Sequence, residues 1–246
     1  VETVNHFFTQ FNTVMMTMIN LVLKVAPVGI FCLIVRTFAN LGIDGMLPML
    51  KFILTVYGGL FLQLFVVYLI LFVLFTRLNP LRFLRKILPV MLFAFSTSSS
   101  NATIPLNLET LERKCGVDEK VASFTIPLGA TINMDGTAIM QGVAVIFIAQ
   151  AFGIELSLAA LVTVVITAVT ASIGTAGVPG VGTIMLAMVF ESIGLPAEGV
   201  AMIMGVDRIL DMGRTAMNVT GDAVVTMCIA SLTKTLDRSV FKNADS

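Results

Sequence analysis

The sequence predicts an all-α membrane protein, in which transmembrane helices are joined by two re-entrant helical hairpins arranged as an inverted repeat. Three observations predict it. The 246 residues are 57% hydrophobic and 12% charged, with a mean hydropathy of +0.98, whereas about a quarter of the residues in soluble chains are charged. Residues 52–75 contain no charge, and ~20 apolar helical residues suffice to cross a bilayer. Two further apolar stretches are interrupted midway by serine- or glycine-rich runs, and irregular backbone at membrane depth is tolerated only when buried in protein or lining a cavity.

The elements follow in order. Residues 1–46 read as a lead-in and scaffold helix. Lys24, Pro27 and Arg36 place an interfacial or kinked start before a span that begins after the proline. Residues 47–246 read as one domain whose first helix covers 47–77. The chain opens at Val1 with no signal-peptide pattern, which reads as the C-terminal part of a longer protein. Arg77, Arg82, Arg85 and Lys86 follow without an intervening acid, which marks a cytoplasmic loop. Residues 80–116 form the first expected hairpin, with its tip at Ser96-Thr97-Ser98-Ser99-Ser100-Asn101. Residues 121–151 form a helix broken around Asn133-Met134-Asp135-Gly136. Residues 158–195 form the second hairpin, because four glycines and a proline within 174–182 cannot continue a helix. The last helix covers 198–235 and ends in Lys234, Arg238 and Lys242, again a cytoplasmic signature.

The pattern of hairpin then broken helix occurs twice. Ser99 precedes Asn133 by 34 residues, and Pro179 precedes Asn218 by 39. Paired discontinuous helices at corresponding positions of two halves point to a mid-membrane binding site in secondary transporters. On the last helix Asp207, Asp211, Arg214, Asn218 and Asp222 are spaced by four, three, four and four residues, which confines them to a face roughly 80° wide at ~100° per residue. Intramembrane charge of this kind must face partners or a cavity. With Asp135 and Arg208 the region holds four aspartates against two arginines, a surplus of two negative charges to be neutralised by cations or protons. Carbonyls freed at Gly129, Thr131 and Asn133 and at Ser172, Ile173 and Thr175, together with Asp222 and Asp135, are hard oxygen ligands suited to Na⁺. The residues leave sodium and proton coupling both open. Arg214 is a planar fork for a carboxylate and Asp211 a partner for an ammonium group, so the pair suits an acidic amino acid. Its α-carboxylate is expected on the backbone N–H groups of Ser98-Ser99-Ser100.

Other classes find little support. The single histidine, His6, rules out a Ser-His-Asp triad and a zinc His-x-x-Glu-His site, and no nucleotide-binding loop is present. Cys32, Cys115 and Cys228 stand far apart with no metal-like spacing and read as apolar filler. The balanced charge gives no reason to expect a nucleic-acid partner. An intramembrane aspartyl protease built on Asp135 and Asp222 would not need Arg214 or a repeat, and Val219 stands where such proteases have glycine. A carrier without enzymatic activity or organic cofactor is expected.

Ser98-Ser99-Ser100, Asn133-Met134-Asp135-Gly136-Thr137, Gly174-Thr175-Ala176-Gly177-Val178-Pro179-Gly180 and the run from Asp211 to Asp222 together resemble the dicarboxylate/amino acid:cation symporters, the glutamate and aspartate transporters. The resemblance covers essentially the whole chain and implies a glutamate-transporter-like fold. It further implies substrate contacts at Thr97, Ser98, Ser99, Thr137, Val178, Gly182, Asp211, Arg214, Thr215 and Asn218. Sodium would bind at Gly129, Asn133, Asn218 and Asp222, and at a second site through Thr131, Ser172, Ile173 and Thr175 near the Met134 sulfur. Asp135 and Asn133 would belong to a third, completed by a helix outside this chain. The resemblance also implies a homotrimer surrounded by lipid, an elevator movement gated by the tip at 177–182, and a multi-pass plasma-membrane location, in bacteria the inner membrane. Thr97 stands where some members carry arginine, and Arg208 is an additional charge. Members specific for dicarboxylates lacking an amino group tend to lack the equivalent of Asp211, and neutral-amino-acid members that of Arg214. Both are retained, which favours sodium-coupled uptake of aspartate or glutamate over a proton-coupled C4-dicarboxylate symporter of the same fold.

Overall fold

The computed structural model describes residues 47–173, 176–196 and 198–242, together with isolated positions within the first 46. Residues 1–47 and 48–246 are two compact units. In the first, the described positions from His6 to Val35 are helical and exposed, and the expected lead-in with Lys24, Pro27 and Arg36 lies outside the described residues.

The second unit is helical throughout, and its only β-type pairing among the described residues is an isolated antiparallel bridge between Val117 and Leu236. Helix α1 covers Leu47–Thr76 and contains a π-helical stretch, Gln63–Tyr68. Helix α2 (Pro80–Thr97) starts where Pro80 presets the first turn and the Asn79 side chain accepts the N–H groups of Leu81 and Arg82 at 2.9 and 3.2 Å. It ends at Ser98, whose left-handed backbone (φ 53°) reverses the chain. Ser99 then caps α3 (Ser100–Glu109), accepting the Ala102 N–H at 3.2 Å, and a π-helical turn at Thr110–Lys114 closes the segment.

Helix α4 (Glu119–Ile132) is capped by Asp118, with Glu119 favourably placed at the positive end of its dipole. The chain unwinds at Asn133 and Met134 and resumes as α5 (Asp135–Ala151). Helix α6 (Leu158–Ser172) is capped by Ser157, and α7 (Val181–Ser192) follows Gly180, whose φ of 81° suits glycine. The remaining helices are α8 (Glu198–Met204), α9 (Asp207–Leu232) and α10 (Arg238–Lys242). Among the described residues, three helical runs are long and apolar enough to cross a membrane: Leu47–Thr76, Glu119–Ala151 and Asp207–Leu232.

Two expectations need correction. The last helix is not continuous over 198–235: it breaks at Gly205 and Val206, between α8 and α9, and ends at Leu232. Nor is it interrupted at Asn218–Asp222: the break in the second half lies at Gly205 and Val206, ahead of that motif and not within it. Gly221 is present for close packing, not for unwinding, because a Cβ there would overlap the Tyr68 hydroxyl and the Asn133 amide.

Helix α9 is the axis of the unit, packing against α1 to α5, and 17 of its 26 residues are buried. α2 packs on α3 and α6 on α7. At the end carrying the basic loop, the Phe72 ring stacks on Phe83 with centroids 4.5 Å apart, and Phe241 of α10 lies 6.3 Å from Phe72. Lys86 donates to the Lys114 carbonyl at 2.6 Å and lies over the Phe241 ring. Cys115 is fully buried beside them, and burial pushes its thiol up to about 12 against the opposing pull of the Lys86 and Lys114 ammonium groups. Because the thiolate is the reactive form, Cys115 in a Cys32→Ser/Cys228→Ser background should resist maleimide from pH 7 to 9 in the folded protein and label fully once unfolded. Rapid labelling at pH 7 under native conditions, read by mass spectrometry, would contradict this packing.

Candidate functional site

The tips of the two helix pairs meet beside α9. The Gly177 carbonyl accepts the Ser99 hydroxyl at 2.9 Å and the Asn101 N–H at 3.1 Å, so a protein carbonyl occupies the positive N-terminal end of α3. The contact is close: a Cβ on Gly177 would lie 2.8 Å from Asn101 Oδ1 and 3.1 Å from the Ala130 carbonyl oxygen. Beneath the tips is a small polar cavity lined by Ser98, Ser100, Met134, Thr137, Ala176, Gly177, Val178, Gly182, Asp211, Arg214, Thr215 and Asn218.

Arg214 dominates the cavity. Its side chain is almost wholly buried and stands between two carboxylates, with Nη1 3.1 Å from Asp207 Oδ1 and Nη2 2.9 Å from Asp211 Oδ1. Only Nε makes an aligned hydrogen bond, to Asp211 Oδ1 at 2.9 Å, and both terminal nitrogens lack an acceptor in the direction of their N–H groups. The Ser98 hydroxyl, in the same cavity, is also buried without a hydrogen-bond partner among the described residues. Gly182 gives the guanidinium room, since a Cβ there would stand 3.0 Å from Cζ. Asp211 Oδ2 accepts the Gly180 N–H at 2.9 Å, and Thr183 bonds to Asp207, so the second tip is tied to the charged face of α9.

Along α9, Asn218 accepts the Gly136 N–H at 2.8 Å and directs its amide to the Met134 sulfur (3.1 Å) and Thr137 Oγ1 (3.4 Å). Asn133 donates to the Asn218 carbonyl and to Asp222 Oδ1, both at 3.0 Å. Asp222 lies against the backbone of Gly129, where a Cβ would stand 2.5 Å from Oδ1. Asp135 Oδ2 accepts from Gln63 at 2.7 Å and from the Tyr68 hydroxyl, and Oδ1 from the Gly136 N–H at 3.0 Å. Neither Asp135 nor Asp222 forms an ion pair among the described residues.

The structure therefore brings Ser98, Thr137, Val178, Gly182, Asp211, Arg214, Thr215 and Asn218 to one cavity, and Gly129, Asn133, Asn218 and Asp222 to a second cluster. Thr97 and Ser99 do not line the cavity: the Thr97 hydroxyl returns to the Phe93 carbonyl and Ser99 caps α3. The N–H groups of Ser98 and Ser99 are engaged by the Ala94 carbonyl and Thr97 Oγ1, not held open for a carboxylate. At the second expected sodium site, Thr131 and Ile173 are exposed, the Thr131 and Ser172 hydroxyls turn back to Leu128 and Val169, and Thr175 lies outside the described residues.

Comparison with known sequences settles the family. The sequence pattern of the sodium:dicarboxylate symporter family matches residues 1–232. The chain belongs to this family. It is 39% identical over 248 residues to the human excitatory amino acid transporter 1, covering 99% of this chain and 45% of that protein. A Caenorhabditis elegans excitatory amino acid transporter is 40% identical over 220 residues (89% and 44%), and the mouse neutral amino acid transporter B(0) is 38% identical over 232 residues (90% and 40%). The chain thus spans less than half the length of these relatives.

Within this symporter-family chain, sequence reasoning missed Gln63, Tyr68 and Thr183. A glutamine and a tyrosine in an otherwise apolar span were the available signal for the first two. The glycine contacts give a direct test. Gly221→Ala should destabilise the protein by about 1–3 kcal/mol through overpacking, seen as a lower thermal unfolding midpoint. Gly142→Ala, inside α5 where a Cβ meets nothing within 4 Å, should instead raise the midpoint slightly, because alanine is the better helix former by about 0.5–1 kcal/mol.

Proposed function

We propose that this chain is the substrate- and cation-binding part of a secondary symporter that carries aspartate or glutamate with sodium. The observation that supports it most directly is the buried Arg214 guanidinium, whose two terminal nitrogens are ion-paired to Asp207 and Asp211 but lack aligned hydrogen-bond acceptors among the described residues, beside a Ser98 hydroxyl with no partner among them. Such donors are costly to leave unsatisfied, and a substrate side-chain carboxylate would satisfy them bidentately. Asp211 is the candidate partner for the α-ammonium group. The α-carboxylate would displace the Gly177 carbonyl from the N-terminal end of α3.

Sodium coupling draws support from the electrostatics around Asp222. Its carboxylate meets the C-terminal end of α4, where the helix dipole is negative. It has an amide donor but no positive charge among the described residues, and the oxygens concentrated there suit a hard monovalent cation. Under this reading Gly129, Asn133, Asn218 and Asp222 form one sodium site, Thr131, Ser172, Ile173 and Thr175 a second, and Asp135 with Asn133 part of a third. The paired helices α2–α3 and α6–α7 are re-entrant, the 177–182 tip is the gate, and the domain moves as an elevator within a homotrimer. The named relatives are animal transporters, which fits a plasma-membrane location but lends nothing to a bacterial inner membrane.

A second reading, proton-coupled transport of a C4-dicarboxylate, has one observation in its favour. Both Asp211 oxygens already have donors, Arg214 and the Gly180 N–H, as would suit a substrate without an ammonium group. The decisive experiment reconstitutes the full-length parent in liposomes and compares aspartate and succinate uptake under sodium or choline gradients at matched pH. Sodium-dependent aspartate uptake is expected. Asp211→Asn should lower the preference for aspartate over succinate by about 10- to 150-fold, the value of a hydrogen bond to a charged group. Uptake equal in choline, or a preference untouched by Asp211→Asn, would favour the dicarboxylate carrier.

A further inference from the structure

We propose that Gln63 and Tyr68, displayed together by the π-helical stretch of α1, are positioning residues for the Asp135 carboxylate and set its contribution to sodium affinity. The inference rests on the sodium coupling proposed above and adds to it two residues from a helix otherwise directed to lipid. In an α-helix, residues five apart are separated by roughly 140° around the axis, so one of the two side chains would point away from Asp135. Hydrogen bonding from i to i+5 instead makes them neighbours on successive turns, and π-helical turns of this kind concentrate at functional sites. Gln63–Tyr68 is such a stretch, and its first and last residues donate to the same atom, Asp135 Oδ2.

The path of Tyr68 indicates a built contact. Its side chain is 4% exposed and its hydroxyl occupies the space over Gly221 that a Cβ would fill. With Oδ2 held from α1, the other oxygen, Oδ1, is directed to the Gly136 N–H, which also donates to Asn218 Oδ1. Two acceptor oxygens therefore converge on one donor at the break between α4 and α5, an arrangement short of positive charge that a cation would relieve. Gln63 and Tyr68 fix which oxygen is turned there.

The test uses the full-length parent, purified and titrated with NaCl at constant ionic strength in choline chloride, reading the thermal unfolding midpoint, with liposome uptake in parallel. The variants are Tyr68→Phe and Gln63→Leu, which keep bulk and remove the donor. Leu62→Ala, on the same helix and 61% exposed, is the control. Each donor variant should raise the half-saturating sodium concentration about tenfold or more and recover near wild-type uptake at saturating sodium. A purely structural role would lower the choline midpoint and leave half-saturation unmoved. Half-saturation within twofold of wild type in both donor variants, or an equal shift in Leu62→Ala, overturns the inference while leaving sodium coupling intact. A wild-type midpoint indifferent to sodium removes the sodium reading and this inference with it.

Discussion

A permanently charged guanidinium buried among helices is the constraint on which the rest of the unit depends. Removing an ion from water costs several kcal/mol even after relaxation, so Arg214 requires Asp207 and Asp211 beside it. Those two acids, exceeding it in charge, in turn recruit Thr183 and the Gly180 N–H. The 176–180 segment is thereby held to α9 by polar contacts, and to α3 by the Gly177 carbonyl. None of these anchors is apolar. Each is a hydrogen bond that a carboxylate or ammonium group could replace in kind, so the tip could be released by exchange of equivalent contacts without exposing a hydrophobic seam.

The other end of the same helix presents the complementary problem. Asp222 is as buried as Arg214 but has no cation near it among the described residues. Arg214 and Asp222 are separated by eight residues, ~12 Å along an α-helix, and Asn218 stands midway. Its side chain bonds to the break between α4 and α5 through Gly136 and to Thr137 of the cavity, while its backbone carbonyl receives Asn133 from the acidic cluster. A ligand in the cavity and a cation at Asp222 would thus act on one shared residue, the first through its side chain and the second through its backbone carbonyl. Contiguity of this kind is the physical substrate of coupling, although contact alone does not measure its strength.

Much of this was legible because membrane burial makes polar residues conspicuous. The charged stripe from Asp207 to Asp222, the break at Asn133–Met134 and the reversals at Ser98 and Gly180 each violate the local rule for an apolar helix, and each lies at the candidate site. The misread positions are those where one residue type serves two purposes. The stretch from Asn218 to Asp222 was expected to interrupt the helix, yet its Gly221 makes room for Tyr68 and Asn133 while the helix runs through it. Thr97 and Ser99 were expected as ligands from the family resemblance, whereas in this structure the two satisfy backbone groups at the end of α2 and the start of α3. Gln63 and Tyr68 escaped notice because their partnership depends on a π-helical register that α-helical periodicity does not reveal.

That register bears on how α1 can be both a lipid-facing span and part of the polar interior. Most of α1 is apolar and exposed, including Leu54, Phe61, Leu62, Phe65 and Leu74. Its contact with α9 runs along Leu69–Thr76, where Ser231 donates to the Phe75 carbonyl at 2.9 Å, and includes two places where a tyrosine meets a glycine. Tyr57 lies against Gly213 and donates to the Ile209 carbonyl at 2.7 Å, while Tyr68 lies over Gly221 and donates to Asp135. Small residues are the usual means of close helix approach in lipid, where hydrophobicity does not favour protein over acyl chain. Here each glycine also admits a hydroxyl, so the same contact that brings the helices together delivers a hydrogen-bond donor to the interior. Replacing either tyrosine by phenylalanine would keep the packing and remove only the donor, so the two contributions of α1 are separable by experiment even though one side chain makes both.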